Sequence, residues 1–448
     1  MNLTDAFIEG ITEFSDSVIS DESLHQIKRC LLDYVGVTNA GAKDIGDRIN
    51  PFLEIGTEGA CTVIGFARKA DIHTAAIVNG FSSHMIELDD GHRFGMLHLE
   101  ATIITALLAV AQQERLPLDR FLKGVLVGYE ATVRLAIGIQ PNHKQKGFHA
   151  TGTCGAIGVA CGVGYALGLN STQINGAISA AATSAAGLLE VIDDGSQLKP
   201  YNVANAVDSG INAAYIGKCG FQGPNDVLGG KRGFINAFSS REEGVDVEKI
   251  IHGAGEISIN QIYVKPYAAC RHCHAPVECA LKIRKNKNFD ISEIDRIEVQ
   301  TYKLAIFGHD QTEVTNASAA KMSTPYSVAV ALTIGSCGME AFSPELISKK
   351  DIKSLSAKVR VIENERLTAA SPAKRGAIVK IYLRNGQCIS SEVEYPLGEP
   401  ENNMSDEALG NKYDSLMQYA GVSEEKCHSI KNMIWTLEDS YNNLITDL

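Results

Sequence analysis

A long segment without charge constrains the fold of this chain more than any other feature. Residues 150–189 contain no charged side chain, and their first half reads TGTCGAIGVACGVGYALGL. That half is long enough to cross a membrane, but it carries six glycines and is followed by the polar NSTQINGAIS. Basic flanks, which orient membrane helices, are missing. We therefore predict a pair of buried helices built from small residues, and no membrane span.

The rest of the chain shows two kinds of sequence pattern, one typical of helices and one that includes strands. Residues 1–262 show apolar side chains at helical spacing in one segment after another, and residues 397–448 return to that pattern. Residues 263–396 contain alternating segments typical of strands, and Asn385-Gly386 joins two of them as a hairpin turn would. The predicted fold is mainly α with an α+β part. Both chain ends form an all-helical domain, and residues 263–396 form a smaller inserted α+β domain.

The net charge and the N-terminal segment argue against a nucleic-acid-binding protein and against an exported protein. The chain has 53 acidic and 41 basic residues, a net charge of −12, so binding of a nucleic-acid backbone is not expected. The first thirty residues carry acids where a signal peptide has bases and an apolar run. We therefore expect a cytoplasmic protein, in which the eleven cysteines are mostly reduced core residues.

The segment CRHCH, residues 270–274, is open to several interpretations. It matches the C-x-x-C-H pattern of covalent haem attachment, half of a zinc site, or a redox dithiol. Haem attachment of this kind requires export. A four-ligand zinc site requires a second pair of ligands, and no other C-x-x-C or H-x-x-x-H pair occurs in the sequence. Pro276 and the preceding KPY do not suit a thioredoxin-type helix start. Structural cysteines beside functional histidines are the favoured interpretation, with no metal and no cofactor.

Polar clusters interrupt the apolar segments at five places and contain the candidate site residues. They are Glu87, Asp89, Asp90, His92, Arg93 and His98; His149; Lys199; Lys265, Arg271, His272 and His274; and Ser323 with Tyr326. Each has a structural alternative: the acids could cap a helix, Lys199 could be a surface lysine, and Tyr326 could be core. Together they supply groups that titrate near neutrality, and cations, without a nucleotide motif. That combination suits cofactor-free proton transfer on a polycarboxylate.

Five segments, in this order, resemble the MmgE/PrpD family over nearly the whole chain. They are AAIVNGFSSHMIELDD, FHATGTCGAIG, LKPYNVANAVDSG, VKPYAACRHCHAP and MSTPYSVAVAL. Members of that family include dehydratases and decarboxylases of citrate- or aconitate-like acids and an iminodisuccinate epimerase. The resemblance implies a homodimer with no cofactor. It also implies an active site with His98, His149, Lys199, His274 and Tyr326 in catalytic positions.

Further roles follow as hypotheses from the same resemblance. Lys199 and Arg271 would hold substrate carboxylates, His98 or His149 would be the base, and His274 and Tyr326 would donate or orient protons. The remaining predicted substrate-binding residues are Glu87, Asp89, Asp90, His92 and Ser323.

This chain departs from the family pattern near the acidic segment. Glu87 stands where decarboxylases and dehydratases have aspartate, Gly91 stands where they have threonine, and HLE replaces H-P-S or H-P-G. The longer loop between Asp90 and His98 resembles that of the epimerase.

Three functions are therefore open. The first is a dehydratase or decarboxylase of a small di- or tricarboxylate. The second is an epimerase or isomerase of an amino- or iminodicarboxylate, and the third is a non-catalytic carboxylate-binding protein.

Overall fold

A computed structural model describes residues 1–193, 195–239, 244–286 and 289–448. The chain forms two compact units: the first contains residues 1–190, 198–262 and 405–448, and the second contains residues 191–197 and 263–404. The predicted division differs at two places, since residues 191–197 and 397–404 belong to the second unit. Residues 397–404 belong there because Gly398 pairs with Val264 through backbone hydrogen bonding, and Leu397 N donates to Glu278 at 2.7 Å.

The first unit is built almost entirely of helices, numbered here along the whole chain. They are α1 (Leu3–Ser15), α2 (Asp21–Ile45), α3 (Asn50–Ile55), α4 (Ile72–Met85), α5 (Glu100–Glu114), α6 (Leu118–Ile139), α7 (Asn142–Gln145), α8 (Ala150–Ala166), α9 (Ser171–Ser184), α10 (Lys199–Lys218), α11 (Phe234–Phe238), α12 (Val247–His252), α19 (Asp406–Ala420), α20 (Glu424–Trp435) and α21 (Leu437–Asp447). A two-stranded antiparallel ribbon, β1 (Cys61–Val63) with β2 (Arg68–Ala70), was not predicted.

The uncharged segment forms α8 and α9, and α8 is the centre of the first unit. Every residue of α8 except Tyr165 is buried, against α6 on one side and α10 on the other. Glycine permits this packing: a Cβ added at Gly162 would lie 2.6 Å from the backbone oxygen of Gly124 in α6. The small residues of the sequence are therefore the reason that these helices pack so closely. No helix among the described residues combines the length and the apolar character needed to span a membrane.

The C-terminal helices complete the core of the first unit. The helical spacing of this segment places Ile434, Leu437, Tyr441 and Leu444 on one apolar face, and all four are buried, although a break at Thr436 divides the face between α20 and α21. The Tyr441 ring lies 5.3 Å from that of Phe121 in α6, measured between centroids. The two ends of the chain therefore share one core.

The second unit packs helices on a four-stranded mixed sheet. Its strands are β3 (Ile294–Thr301), β4 (Val359–Glu363), β5 (Ala377–Leu383) and β6 (Cys388–Val393), in the order β4-β3-β5-β6. β3 and β4 are parallel, and the other two pairs are antiparallel. Its helices are α13 (His274–Lys285), α14 (Ala317–Met322), α15 (Thr324–Ile334), α16 (Pro344–Ser348), α17 (Lys350–Ser356) and α18 (Glu365–Ala370).

The strands and turn of this sheet follow the local sequence. Gly386, with φ of +88°, forms the predicted turn between β5 and β6. Burial alternates strictly along β5, so one face of the strand is directed into the core of the unit, where α13 contacts it. The predicted fold class, mainly α with an α+β part, is confirmed.

Candidate active site

The predicted site residues belong to both units. The first unit contains Glu87, Asp89, Asp90, His92, His98, His149 and Lys199, and the second contains Arg271, His274, Ser323 and Tyr326. Each group is organised by contacts within its own unit.

Three imidazole rings meet in the first unit. The ring centroids of His84 and His98 are 4.6 Å apart, and the His149 ring lies 6.0 Å from the first and 6.3 Å from the second. One nitrogen from each ring lies within 4.8 Å of the others. Three nitrogens this close could hold a metal ion, and they could equally serve as a set of proton donors and acceptors.

Helix ends bring these side chains together. His84 lies in the last turn of α4, His98 two residues before α5, and His149 is the N-cap of α8. Lys199 is the first residue of α10, followed by a proline that suits a helix start. Helix N-termini carry partial positive charge, so the start of α8 and the start of α10 favour an anionic ligand here.

Lys199 is paired with a carboxylate of the acidic segment. Its ammonium forms an ion pair with Glu87, and both side chains are about nine-tenths buried. Glu87 has φ of +58°, a left-handed conformation that non-glycine residues rarely adopt. The Glu87 oxygen that pairs with Lys199 also lies 3.9 Å from His84 Nε2.

His84 is a candidate functional residue that sequence analysis did not single out. Its Nδ1 lies 2.7 Å from Asp89 Oδ2; because a carboxylate accepts, the ring donates there and Nε2 is its basic nitrogen. Nε2 is buried and makes no hydrogen bond within the described part of the chain. Asp89 therefore positions a histidine, as orienting carboxylates do for catalytic bases. The only signal in the sequence was a histidine five residues before an aspartate, which does not reveal this pairing.

His98 and His149 have opposite tautomers. His98 Nδ1 donates to the backbone oxygen of Asp90 at 2.6 Å, so Nε2 is its basic nitrogen. His149 Nδ1 accepts from the amide of Asn202 at 3.3 Å, which places the proton of a neutral ring on Nε2. Burial lowers the pKa of His149 well below its usual value, and the charge of Lys199 lowers it further. His149 is therefore a neutral hydrogen-bond donor at physiological pH.

Asp90 and His92 form hydrogen bonds within the loop before α5, and their predicted contacts with substrate stay predictions. Asp90 Oδ1 accepts from the backbone nitrogens of Leu99 and Glu100 at 2.9 and 3.0 Å, and its Oδ2 accepts from Tyr129. His92 Nδ1 accepts from Gly95 N at 3.1 Å inside a closed turn. The structural alternative, a helix cap, accounts for Asp90 better than the predicted substrate contact.

Replacing Asp90 with asparagine should flatten the pH dependence of stability. Burial raises the pKa of Asp90 to about 7, so the folded chain binds this proton more tightly than the unfolded chain. The free energy of unfolding should therefore rise as pH falls from about 7 towards about 4, by up to roughly 1.4 kcal/mol per unit. The amide oxygen of the variant can still accept from both backbone nitrogens, but the side chain carries no titrating proton. Urea titrations between pH 5 and 8 should show a smaller slope for Asp90→Asn; an unchanged slope would contradict the assignment.

In the second unit, Arg271 is held by internal partners. Its side chain is 3% exposed and lies 2.8 Å from Glu399. Further hydrogen bonds join it to the backbone oxygens of Leu397 and Pro396 and to His274 Nδ1. All five N–H donors of the guanidinium are engaged in this way. The contacts therefore favour a structural role over the predicted binding of a substrate carboxylate.

His274 has a fixed tautomer in the same network. Its Nδ1 accepts from Arg271 at 2.9 Å, and its Nε2 donates to the backbone oxygen of Ala269 at 3.0 Å. These contacts suit the positioning of Arg271. The role in proton transfer that the family resemblance implies stays a prediction.

Ser323 and Tyr326 are placed by the start of α15. Ser323 is its N-cap, accepting from Tyr326 N at 3.0 Å and donating to Gln311 O. The Tyr326 side chain is fully buried, and its hydroxyl donates to Ala341 O at 2.7 Å. Burial raises the pKa of Tyr326. Both side chains thus have structural partners, as the core alternative for Tyr326 allowed, and the predicted roles of Ser323 and Tyr326 at a substrate stay predictions.

Comparison with known proteins supplies the family. A model of the MmgE/PrpD N-terminal domain matches residues 8–244, and one of the MmgE/PrpD C-terminal domain matches residues 267–439. The chain is 25% identical to a cis-aconitate decarboxylase-like protein of Aspergillus oryzae, over 98% of this chain and 95% of the relative. It is 25% identical to the cis-aconitate decarboxylase of Aspergillus terreus, over 95% and 90% of the two chains. It is 22% identical to the cis-aconitate decarboxylase of Mus musculus, over 99% of this chain and 91% of the relative. As the five sequence segments predicted, the chain belongs to the MmgE/PrpD family.

Proposed function

We propose that this protein is a lyase that acts on a small di- or tricarboxylate and moves a proton next to a carboxylate. The observation that carries the proposal is that the imidazoles of His84, His98 and His149 lie close together and close to Lys199. His149 lies at the start of α8, and Lys199 lies at the start of α10. This arrangement supplies bases and a cation in one buried place, which is what proton transfer beside a carboxylate requires.

The tautomers suggest a role for each group. His98 Nε2 and His84 Nε2 are the basic nitrogens, so either can remove a proton from carbon. Lys199 and the Nε2–H of His149 are donors that can hold a carboxylate and stabilise the charge that develops on it. Because the pKa of His149 is lowered, its ring stays neutral, and a neutral imidazole can stabilise the developing charge by donating a hydrogen bond from Nε2.

Two reactions of this class fit these groups. In dehydration, the base takes the proton from carbon, and the electron pair of the broken C–H bond forms the carbon–carbon double bond. The C–O bond breaks as a protonated group of the site donates a proton to the leaving hydroxyl, which departs as water. In decarboxylation, the carbon–carbon bond breaks, CO2 leaves, and the electron pair on carbon accepts a proton. The relatives named cis-aconitate decarboxylase, which align along almost the whole chain, favour decarboxylation of an aconitate-like acid.

A screen of di- and tricarboxylates by proton NMR in D2O tests the proposal. Loss of CO2 from cis-aconitate, or formation of a double bond from citrate or 2-methylcitrate, would support the lyase. Deuterium incorporation without loss of CO2 or water would instead support the epimerase, which the longer loop between Asp90 and His98 keeps as the alternative. Ligand binding without any reaction would support the third possibility, a carboxylate-binding protein. The predicted homodimer and the independence from cofactors stay predictions.

A further inference from the structure

The segment CRHCH has a partner that its sequence pattern does not contain. In the second unit, one donor atom each from Cys270, His272 and His309 lies within 4.8 Å of the other two. His272 and His309 are buried, and Cys270 is partly exposed. Cys273 does not belong to this group, and its sulfur lies 3.5 Å from Thr324 Oγ1 and 3.9 Å from Met322 O. The candidate ligand set therefore consists of Cys270 and two histidines, and it does not include the second cysteine of the C-x-x-C pattern.

The spacing of these donors matches a tetrahedral metal ion. Cys270 Sγ lies 3.7 Å from His309 Nε2. Zinc binds sulfur at about 2.3 Å and histidine nitrogen at about 2.0–2.1 Å, which separates the two ligands by roughly 3.6 Å in tetrahedral geometry. An ion therefore fits between these atoms with little movement of either side chain.

The partners of the two rings are those found around metal sites. His309 Nδ1 donates to Met322 O at 2.7 Å, which fixes Nε2 as the nitrogen that faces the sulfur. His272 Nδ1 lies 2.6 Å from the hydroxyl of the buried Tyr302. Metal-binding histidines commonly hold their second nitrogen against a carbonyl or another polar group, which sets the ring orientation.

We propose that Cys270, His272 and His309 form a binding site for a borderline-soft divalent cation, Zn²⁺ in the first place. One thiolate and two imidazoles favour zinc over magnesium or calcium, which prefer oxygen ligands. Three protein ligands leave the fourth position of a tetrahedral ion to water. The partial exposure of Cys270 gives the ion a path of entry. The bound ion would join the turn before α13 to the segment between β3 and α14.

Titration of the metal-free full-length protein with Co²⁺ tests the proposal. A cobalt–thiolate bond gives a charge-transfer absorption in the near ultraviolet, whereas Co²⁺ at the histidines of the first unit would not. We expect this band to saturate at about one Co²⁺ per chain and to disappear when Zn²⁺ is added in excess. Absence of the band at stoichiometric Co²⁺ would overturn the proposal.

Matched cysteine variants assign the band to a residue. Cys270→Ser should abolish it, while Cys273→Ser, three residues away, should keep it at full intensity. Survival in the first variant or loss in the second would overturn the proposal. His309→Gln keeps the thiol and should weaken Co²⁺ binding at least about tenfold; unchanged affinity in this variant would also refute the site. Far-ultraviolet circular dichroism checks that each variant is folded.

Discussion

Lys199→Met is expected to lower kcat/KM by about 10²–10³, the loss typical of removing one donor that stabilises developing charge. The ammonium is buried beside Glu87 at the start of α10. Methionine keeps much of the length and volume of the side chain but offers no cation to a substrate carboxylate. Turnover at the wild-type rate would remove Lys199 from the proposed site.

A second readout of the same variant does not depend on turnover. Lys199 is one of the charges that lower the pKa of His149, so its removal should raise that pKa towards the ordinary value. Histidine NMR titration measures this directly. Lys218→Met is the matched control, because Lys218 ends the same helix and is 43% exposed near Glu114. Both the rate and the His149 titration should be unchanged in the control.

Local sequence predicted those parts of the fold that depend on local periodicity. Helical spacing and the small-residue segment predicted the helices α8 and α9, of which α8 is buried as expected while α9 buries only one face. Asn385-Gly386 predicted the β5–β6 hairpin. The β1–β2 ribbon was missed because strands of three residues carry too little alternation to detect. The break at Thr436 has no signal in the local pattern, because the apolar spacing continues across it.

The site was only partly predictable, because its contacts join distant residues. The motifs identified His98, His149 and Lys199, which the structure brings to one place. Arg271 and Cys270 are interpreted differently once their partners are known, and those partners are distant in sequence. Glu399, which binds Arg271, is 128 residues away, and His309, which contacts Cys270, is 39 residues away. No local pattern reveals such pairs, so Arg271 looked available for substrate and Cys270 looked like half of a C-x-x-C motif.

A buried lysine of the C-terminal helices supports the acidic segment of the site. Lys412, in α19, forms an ion pair with Asp33 at 2.5 Å and donates to the backbone oxygen of Leu88 at 2.8 Å. Burial raises the pKa of Asp33, and Lys412 opposes that rise. Burial and the nearby Asp33 likewise raise the pKa of Glu100. Lys412 thus offsets carboxylate charge in the core and holds the residue that follows Glu87 in place.

Lys412→Met should therefore lower the free energy of unfolding by about 3–5 kcal/mol, the usual cost of leaving one partner of a buried ion pair without the other. The loss should grow as pH rises, because Asp33 is then charged in the folded chain without its cation. Lys431→Met is the control: Lys431 pairs with Asp414 at 2.6 Å, but the carboxylate is 46% exposed, so the change should cost at most about 1 kcal/mol. Urea denaturation at pH 6 and 8 measures both effects. Equal losses in the two variants would show that Lys412 contributes no more than an ordinary surface pair, and that the C-terminal helices do not hold the acidic segment in place.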